Sequence, residues 1–350
     1  TEVSGNYIVY RCMDGKTHDG QDYIIDKSLV DGSTALAADS VFTNDKGQSV
    51  VAWETADDSM AQYAPGSTIE VSGFLELNAV MGTNYVTFHD GEKETFQIYR
   101  NEDATLSKSG RRSGSVFIGW NTSVDGRGDW YYPMSNVAGV PHDLYAQYEE
   151  QPSDNYVILE CETGLSGGPM ADVVPLVDGK TSLPSIAKND QSVAYWSCSE
   201  FSAALDSPCS LYYPAGREVN LASGQTLTAE TVRDGRYYGL VDGAGGLTSD
   251  GSAYYGTSCY VTSAGNLNLY SFNDLVQFTK DGAVVSGYTG AKTGATYSFN
   301  DDIWAAMGVE ADNNQIATFT AQYENIQGDY IQYFGNGAKT EAGSDYHVQG

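Results

Sequence analysis

The sequence predicts a β-rich α+β fold made of small modules in tandem, some with one short helix. Short segments alternate apolar and polar residues, which is the period-2 pattern of a strand with one buried face. Tyr and Gly are abundant, with 26 and 39 residues, as expected for strands and tight turns. A pattern centred on Trp recurs along the chain, and 350 residues exceed one domain of ~100–200 residues. We therefore expect several modules arranged end to end.

Charge and hydropathy limit the classes of function. The chain has 46 acidic and 18 basic residues and a formal net charge of −28, which repels phosphate groups and anionic lipids. No apolar segment approaches the ~18–20 residues that span a bilayer. We therefore expect no nucleic-acid partner and no membrane insertion of this segment. Hydrophobic residues make up 41% of the chain, which is enough for packed cores.

The first recurring element is a short strand that opens a module. It begins with Asn or Asp, continues with an aromatic residue or Leu, and then alternates apolar positions. Residues 27–42 and 101–116, which follow the first two copies, contain enough Ala, Leu, Lys and Ser for one short helix each. The copies of the opening strand lie at 6–10, 84–88, 155–159, 274–278 and 329–333.

The second recurring element places a Trp on a strand, followed by a polar loop, a Tyr near Pro or Gly, and an alternating strand. Two large aromatic side chains supply much of the core of so small a module. We interpret them as core residues rather than a binding platform, because large aromatic side chains are mostly buried. The pairs are Trp53 with Tyr63, Trp120 with Tyr132, and Trp196 with Tyr213.

Together the two elements divide the chain into predicted units. Residues 149–154 contain Pro and lack apolar periodicity, so we expect a linker there. The predicted units are 1–82, 83–152, 153–231 with an insertion, a degenerate unit 232–272, a divergent unit 273–325, and the start of a further unit at 326–350.

The second unit carries a family resemblance. It contains a Gly-Trp-Asn-Thr strand, an Asp-Gly turn, a Tyr and a terminal Leu-Tyr-Ala-Gln-Tyr strand, at residues 119–122, 125–126, 132 and 144–148. This pattern resembles the internalin-type B repeat, also called the Listeria–Bacteroides repeat. The resemblance implies β-grasp-like modules on the extracellular surface of a bacterium, acting as adhesive repeats or as a stalk. The partners would be a host glycan, a host protein or other surface-protein chains.

One tripeptide suggests a specific ligand. Arg127-Gly128-Asp129 is of the integrin-binding type and lies in the loop between Trp120 and Tyr132, where it would be exposed. The repeat itself calls for a turn rich in Gly and Asp at this place, and we favour that interpretation. A module that binds a specific host glycan or protein is nevertheless kept as the alternative function.

Segment 164–169 is similar to the nucleophile segment of trypsin-like proteases, with Ser166 in the place of the nucleophile. Leu165 stands where that family has Asp. A serine nucleophile also needs a His base, and none of the 4 histidines lies in that family's sequence context. We expect a turn here and no catalytic site, with a secreted hydrolase as a lesser alternative.

The 5 cysteines are too few for a disulfide framework. We predict a Cys198–Cys209 disulfide that closes an insertion between Trp196 and Tyr213, a loop worth about 3 kcal/mol in the chain-entropy model. Cys12 and Cys161 lie five residues after the Tyr of their opening strands. They occupy equivalent places in different modules, so we do not expect them to pair.

Metal and cofactor motifs are absent from the sequence. There is no Cys-x-x-Cys, no His-Glu-x-x-His, no acidic calcium loop and no phosphate loop. We expect no cofactor. The acidic pairs Asp57-Asp58 and Asp301-Asp302 could touch Ca²⁺ at the surface, but we favour solvated loops.

Overall fold

The computed structural model describes residues 5–27, 32–101, 103–166, 168–202, 207–261, 271–275, 277–326, 331–334 and 346–349. Over these residues the fold is β-rich and modular, which confirms the predicted fold class. Four mixed five-stranded sheets dominate it. We name the segments that form them module 1 (7–82), module 2 (84–150), module 3 (156–231) and module 4 (236–325). The chain divides into two compact units between Glu149 and Glu150, inside the segment expected to be a linker.

The strands of the first two modules have the following bounds. In module 1 they are β1 (Tyr7–Arg11), β2 (Tyr23–Asp26), β3 (Ser33–Ala35), β4 (Ser49–Thr55), β5 (Gln62–Tyr63), β6 (Thr68–Glu70) and β7 (Phe74–Gly82). In module 2 they are β8 (Asn84–Asp90), β9 (Lys93–Tyr99), β10 (Ser115–Asn121), β11 (Trp130–Tyr131) and β12 (Asp143–Glu150).

The remaining strands follow in the second compact unit. Module 3 contains β13 (Tyr156–Glu160), β14 (Ala171–Pro175), β15 (Lys180–Ser182), β16 (Val193–Ser202), β17 (Ser207–Pro214), β18 (Glu218–Asn220) and β19 (Thr226–Thr231). Module 4 contains β20 (Arg236–Asp242), β21 (Tyr254–Tyr260), α1 (Phe272–Leu275), β22 (Ala283–Gly290), β23 (Thr296–Tyr297), α2 (Ile303–Glu310) and β24 (Ile316–Asn325). An antiparallel hairpin of β25 (Ile331–Phe334) and β26 (Tyr346–Gln349) comes after it.

One strand order is common to all four sheets. The first and last strands of each module are adjacent and parallel, with the opening hairpin on one side and the later hairpin on the other. This arrangement is consistent with a β-grasp-like architecture. The orders are β2-β1-β7-β4-β5, β9-β8-β12-β10-β11, β14-β13-β19-β16-β17 and β21-β20-β24-β22-β23. Modules 1 and 3 each add a small antiparallel sheet, β3 with β6 and β15 with β18.

The division into predicted units 232–272 and 273–325 is wrong. Strand β20 from the first of these units pairs in parallel with β24 from the second, with Tyr238 opposite Ile316. Both segments therefore belong to a single sheet, that of module 4. Strand β20 is the opening strand of this module.

The predicted opening strand at 274–278 is also wrong, because α1 begins just before it. Ser271 and Asp274 explain the helical turn. The Ser271 hydroxyl and backbone N–H donate to the Asp274 carboxylate at 2.7 and 3.1 Å, and the Asp274 N–H donates back to the Ser271 hydroxyl at 3.3 Å. This reciprocal pairing is a capping box, which favours a helix start over a strand.

The helices do not lie where the sequence predicted them. Among the described residues of 27–42 and 101–116 there is no α-helix, only a 3₁₀ turn at Asp39–Val41. Leu106 is the one large apolar residue in 101–115, so that segment has no apolar stripe to bury. Helix α2 forms instead in module 4, where the Asp302 carboxylate accepts hydrogen bonds from the N–H groups of Trp304 and Ala305.

Candidate functional site

The predicted Trp residues lie at equivalent core positions of three modules. Trp53, Trp120 and Trp196 are at most 2% exposed. Each indole nitrogen donates a 2.8 Å hydrogen bond to a backbone carbonyl of the segment that crosses over the sheet, and these carbonyls belong to Ala37, Lys108 and Pro184. A buried Trp with a satisfied N–H both fills the core and ties the crossover to the sheet.

The predicted Tyr partners lie next to these Trp residues in two of the three modules. Tyr63 is directly opposite Trp53, and Tyr213 is directly opposite Trp196. In module 2 the residue opposite Trp120 is Tyr131, and the predicted core residue Tyr132 follows it and is buried, with 6% of its surface exposed. The prediction followed the Tyr-Pro step, but hairpin register places the preceding Tyr beside the Trp.

Module 4 has a Tyr in the Trp position. In modules 1, 3 and 4 a β-bulge interrupts the pairing of one strand with the last strand of the module, two residues before the large aromatic residue; these strands are β4, β16 and β22. The aromatic residue after the bulge in module 4 is Tyr288, which is 1% exposed. The prediction looked for a Trp, and Trp304 lies on α2 instead.

The loop at 121–129, which we name the Arg127 loop, is held by a buried side chain. The Asn121 oxygen accepts from the N–H groups of Ser123 and Gly128 at 2.9 Å, and its amide nitrogen donates to the carbonyls of Gly126 and Gly128 at 3.2 and 3.0 Å. A Cβ at Gly128 would lie 2.1 Å from the Thr122 hydroxyl. The Asn and Gly residues of the loop therefore serve its conformation.

The two charged residues of the tripeptide are exposed on this loop. The Arg127 side chain is 88% exposed and lies 3.7 Å from the Asp125 carboxylate. Asp129 is exposed, and its backbone N–H donates to the Thr122 hydroxyl at 2.9 Å. Hydrogen bonds from the Ser123 hydroxyl and the Arg127 N–H lower the pKa of Asp125. The loop thus presents Arg127 and Asp129 to solvent on a defined backbone.

Ser166 lies in a tight turn of the β13–β14 connection. The Leu165 N–H donates to the Pro169 carbonyl at 2.7 Å, and the Gly168 N–H donates to the Leu165 carbonyl at 3.0 Å. Leu165, at the position where proteases have Asp, is buried in the core of module 3. The geometry at this segment is that of a turn with an exposed serine.

Two histidines in module 2 are engaged within the first compact unit. The His89 ring nitrogens lie 3.1 Å from Glu94 Oε1 and 2.8 Å from Asp143 Oδ1. The His142 ring stacks on Tyr85 at 3.8 Å, and its Nδ1 lies 3.0 Å from the Tyr85 carbonyl oxygen. Burial, followed by the charges of Asp39 and Asp143, raises the pKa of Tyr85 to about 12. These contacts order the strands of module 2.

The predicted insertion between Trp196 and Tyr213 is an extension of the hairpin β16–β17. Pairing continues from Tyr195–Pro214 to Ser202–Ser207. Cys198 is opposite Leu211, and Cys209 is opposite Glu200, so the two cysteines are diagonal neighbours on the same face. The Cys209 side chain lies outside the described residues. The proposed disulfide stays a prediction.

Cys12 and Cys161 occupy equivalent positions, as the sequence spacing suggested. Each comes directly after the first strand of its module and is buried as a free thiol. Burial raises the pKa of the Cys12 thiol, although hydrogen bonds from backbone N–H groups lower it.

Three of the four residues in the two acidic pairs have local hydrogen-bond partners. The Asp57 carboxylate accepts from the Ser59 and Thr55 hydroxyls, which lower its pKa. Asp301 accepts from the Ser298 N–H at 2.6 Å, and Asp302 caps α2. Within the described ranges, no group of three or more His, Cys, Asp or Glu side chains is arranged to hold a metal ion.

The sequence did not single out Glu310, whose side chain is 1% exposed at the end of α2. Its carboxylate accepts from the N–H groups of Lys292 and Thr293 at 3.0 Å, from the Thr293 hydroxyl, and from the Tyr297 hydroxyl at 2.8 Å. Burial raises the pKa of Glu310, but these hydrogen bonds outweigh it and hold the pKa below its usual value. A single Glu among 46 acidic residues carries no distinguishing sequence signal.

The described residues form several surface clefts. One in the second compact unit has a volume of about 280 Å³ and is lined by Arg217, Asp242 and Tyr254 among others. Sites for small molecules usually measure ~300–1,000 Å³ and are mostly apolar. A cleft of about 690 Å³ in the first unit is lined by charged residues including Lys46, Glu54 and Arg100.

No protein-family model and no curated protein matches the chain. No helix in the described residues is long and apolar enough to cross a membrane.

Proposed function

We propose that this chain is a non-catalytic segment of a bacterial cell-surface protein and acts as an adhesive repeat or a stalk. The observation that carries the proposal is the repetition of one sheet architecture in four modules. The buried Trp with its carbonyl partner recurs in three of them. The residues that recur from module to module stabilise the fold. This is expected of repeats that act as a stalk or present an adhesive surface.

The resemblance of module 2 to internalin-type B repeats supports the surface location. Its Gly-Trp-Asn-Thr segment has a physical role here, because Trp120 fills the core and Asn121 organises the Arg127 loop. The net charge of −28 favours a solvated exterior over binding to nucleic acid. Extracellular placement is part of the proposal.

The test of the non-catalytic assignment uses the purified chain with peptide, ester and glycoside substrates, beside a Ser166→Ala variant. We expect no turnover from either protein. Turnover that disappears in the variant would contradict the proposal, because it would make Ser166 a nucleophile. Circular dichroism of both proteins serves as the folding control.

A binding function is the second candidate, and the exposure of Arg127 and Asp129 favours it. If this loop binds a host receptor of the integrin class, beads coated with the chain should attach to cells that display such a receptor. Arg127→Ala should then abolish attachment, and a soluble peptide that contains the tripeptide should compete. Val124→Ser is the matched control, since Val124 is 75% exposed in the same loop but outside the tripeptide. Equal attachment by both variants would exclude the loop as the binding site.

A further inference from the structure

The parallel pairing of the first and last strands has a mechanical consequence. The chain enters module 1 at Tyr7, the first residue of β1, and leaves it at Gly82, the last residue of β7. These strands are adjacent, parallel and in continuous register from Tyr7–Phe74 to Arg11–Asn78. Tension on the chain therefore pulls β1 and β7 in opposite directions along their common axis.

Such a load acts on all the hydrogen bonds between the two strands at once. Hydrogen bonds in a sheet run across the strands, so sliding one strand past the other requires the whole ladder to break together. In a hairpin pulled from its open end, the bonds break one after another. Shear across a parallel pair therefore gives a higher barrier to forced unfolding, which is governed by the unfolding rate.

The same pair recurs in every module. In each one, a backbone N–H of the first strand also donates to the carbonyl just before the last strand begins. These bonds are Tyr7 to Gly73 at 3.0 Å, Thr87 to His142 at 2.6 Å, Ile158 to Gln225 at 2.9 Å and Tyr238 to Gln315 at 2.9 Å. The paired strands are β1 with β7, β8 with β12, β13 with β19, and β20 with β24.

Side chains also connect the loaded strands. In module 1 the rings of Tyr7 and Phe74 lie 5.2 Å apart, and Arg11 pairs with Glu76. In module 2, His89 on β8 contacts Asp143 and Tyr145 on β12. These contacts must be lost before either strand can slide.

We propose that each module acts as a shear clamp, in which the parallel pair of first and last strands resists tension applied to the two ends of the module. The chain would then bear a mechanical load along its length. This inference rests on the proposed role as a stalk or adhesive repeat and specifies its mechanical part. The load path runs from the first strand of a module to its last. Edge strands such as β2 lie outside that path, because the hairpin joins β2 to the end of β1 that is not pulled.

The test is single-molecule force spectroscopy on the full chain, tethered by tags at its two ends. We expect discrete unfolding steps, roughly 25 nm for module 1 and roughly 30 nm for module 4 at ~3.4 Å per residue. Phe74→Ala removes the ring contact with Tyr7. It should shorten the lifetime of one of the steps near 25 nm by about threefold to tenfold at constant force, the equivalent of a typical aromatic pair. Glu76→Gln should shorten the same lifetime.

Tyr23→Ala is the matched control, because Tyr23 on β2 is 46% exposed and Phe74 is 53% exposed. It should leave every lifetime within about twofold of the parent, since edge contacts are off the load path. Equal shortening by Phe74→Ala and Tyr23→Ala, or gradual extension without steps, would overturn the clamp. Neither of these results would affect the proposal that the chain is non-catalytic. Substrate turnover would overturn that proposal but would leave the lifetimes under force unchanged. Thermal melting of all three variants separates mechanical effects from general destabilisation.

Discussion

Trp196 lies directly opposite Ala229 in the antiparallel pair of β16 and β19. The same relationship joins Trp53 to Ala79 and Tyr288 to Ala321. A small residue thus faces the largest core side chain in each of these modules, which leaves room for the ring on the same face of the sheet. The alternation of large and small side chains explains the Ala in the terminal strand of each repeat.

Ala229→Leu should therefore overfill the core beside Trp196. We expect a loss of about 1–3 kcal/mol in the free energy of unfolding, as for other insertions into packed cores. Chemical denaturation of the parent and variant measures it. Thr228→Leu is the control, since Thr228 is exposed on the other face and should change stability by no more than about 0.5 kcal/mol. A neutral Ala229→Leu would show that the core of module 3 has spare volume.

Trp120→Ala should destabilise module 2 by about 3–5 kcal/mol, the usual cost of deleting a large buried aromatic side chain. Trp120→Phe keeps part of the ring volume but removes the N–H that donates to the Lys108 carbonyl. The lost hydrogen bond should lower the free energy of unfolding by about 1–2 kcal/mol beyond the effect of the smaller ring. Hydrogen exchange of residues 84–150 localises the effect. Trp130 lies at a half-buried position of the same hairpin. Trp130→Ala should therefore lower the free energy of unfolding by less than Trp120→Ala does.

Glu310 should make the stability of module 4 depend on pH. Its pKa is lowered in the folded state, so its contribution is present above the unfolded pKa of ~4.3 and is lost as pH falls through the folded value. Glu310→Gln should be less stable than the parent at pH 7. The difference should shrink between pH 7 and pH 3, because the carboxylate of the unfolded chain takes up a proton as the pH falls below ~4.3. Denaturation curves at both pH values measure it, and a difference independent of pH would contradict this role.

Tyr297 provides a second probe of the same contact. Burial and the hydrogen bond to Glu310 raise the pKa of Tyr297 to about 12, so its neutral hydroxyl is the donor. Tyr297→Phe should lower the free energy of unfolding by about 1 kcal/mol in the Glu310 parent. In the Glu310→Gln background the cost should be smaller, because a charged acceptor strengthens the bond.

The separation of Cys198 and Cys209 in the hairpin is a constraint on the predicted disulfide. Diagonal residues across an antiparallel pair are about 7–8 Å apart, longer than the ~5.5–6 Å usual between the Cα atoms of a disulfide. The hairpin must therefore adjust for the bond to form. We expect intact mass and thiol labelling in oxidising buffer to show two fewer reactive thiols in the unfolded chain than after reduction. Labelling of all 5 cysteines without reduction would contradict the bond.

The fold class, the opening strands of modules 1 to 3 and the Trp positions could be predicted from the amino-acid sequence. Strand patterning repeats every two residues, and burial of one face makes that pattern strong in the sequence. A Trp beside an Asp-Gly turn is also a local signal, so module 2 was recognisable from its own residues.

Which strands belong to one sheet became visible only in the folded structure. The pairing of β20 with β24 joins residues far apart in the chain, and no local pattern encodes such a partner. The Tyr131 register and the helix at 303–310 likewise depend on hairpin geometry and caps rather than on composition. Glu310 shows the same limit, because its burial and the four hydrogen bonds that its carboxylate accepts arise from the packing of α2 against the β22–β23 turn.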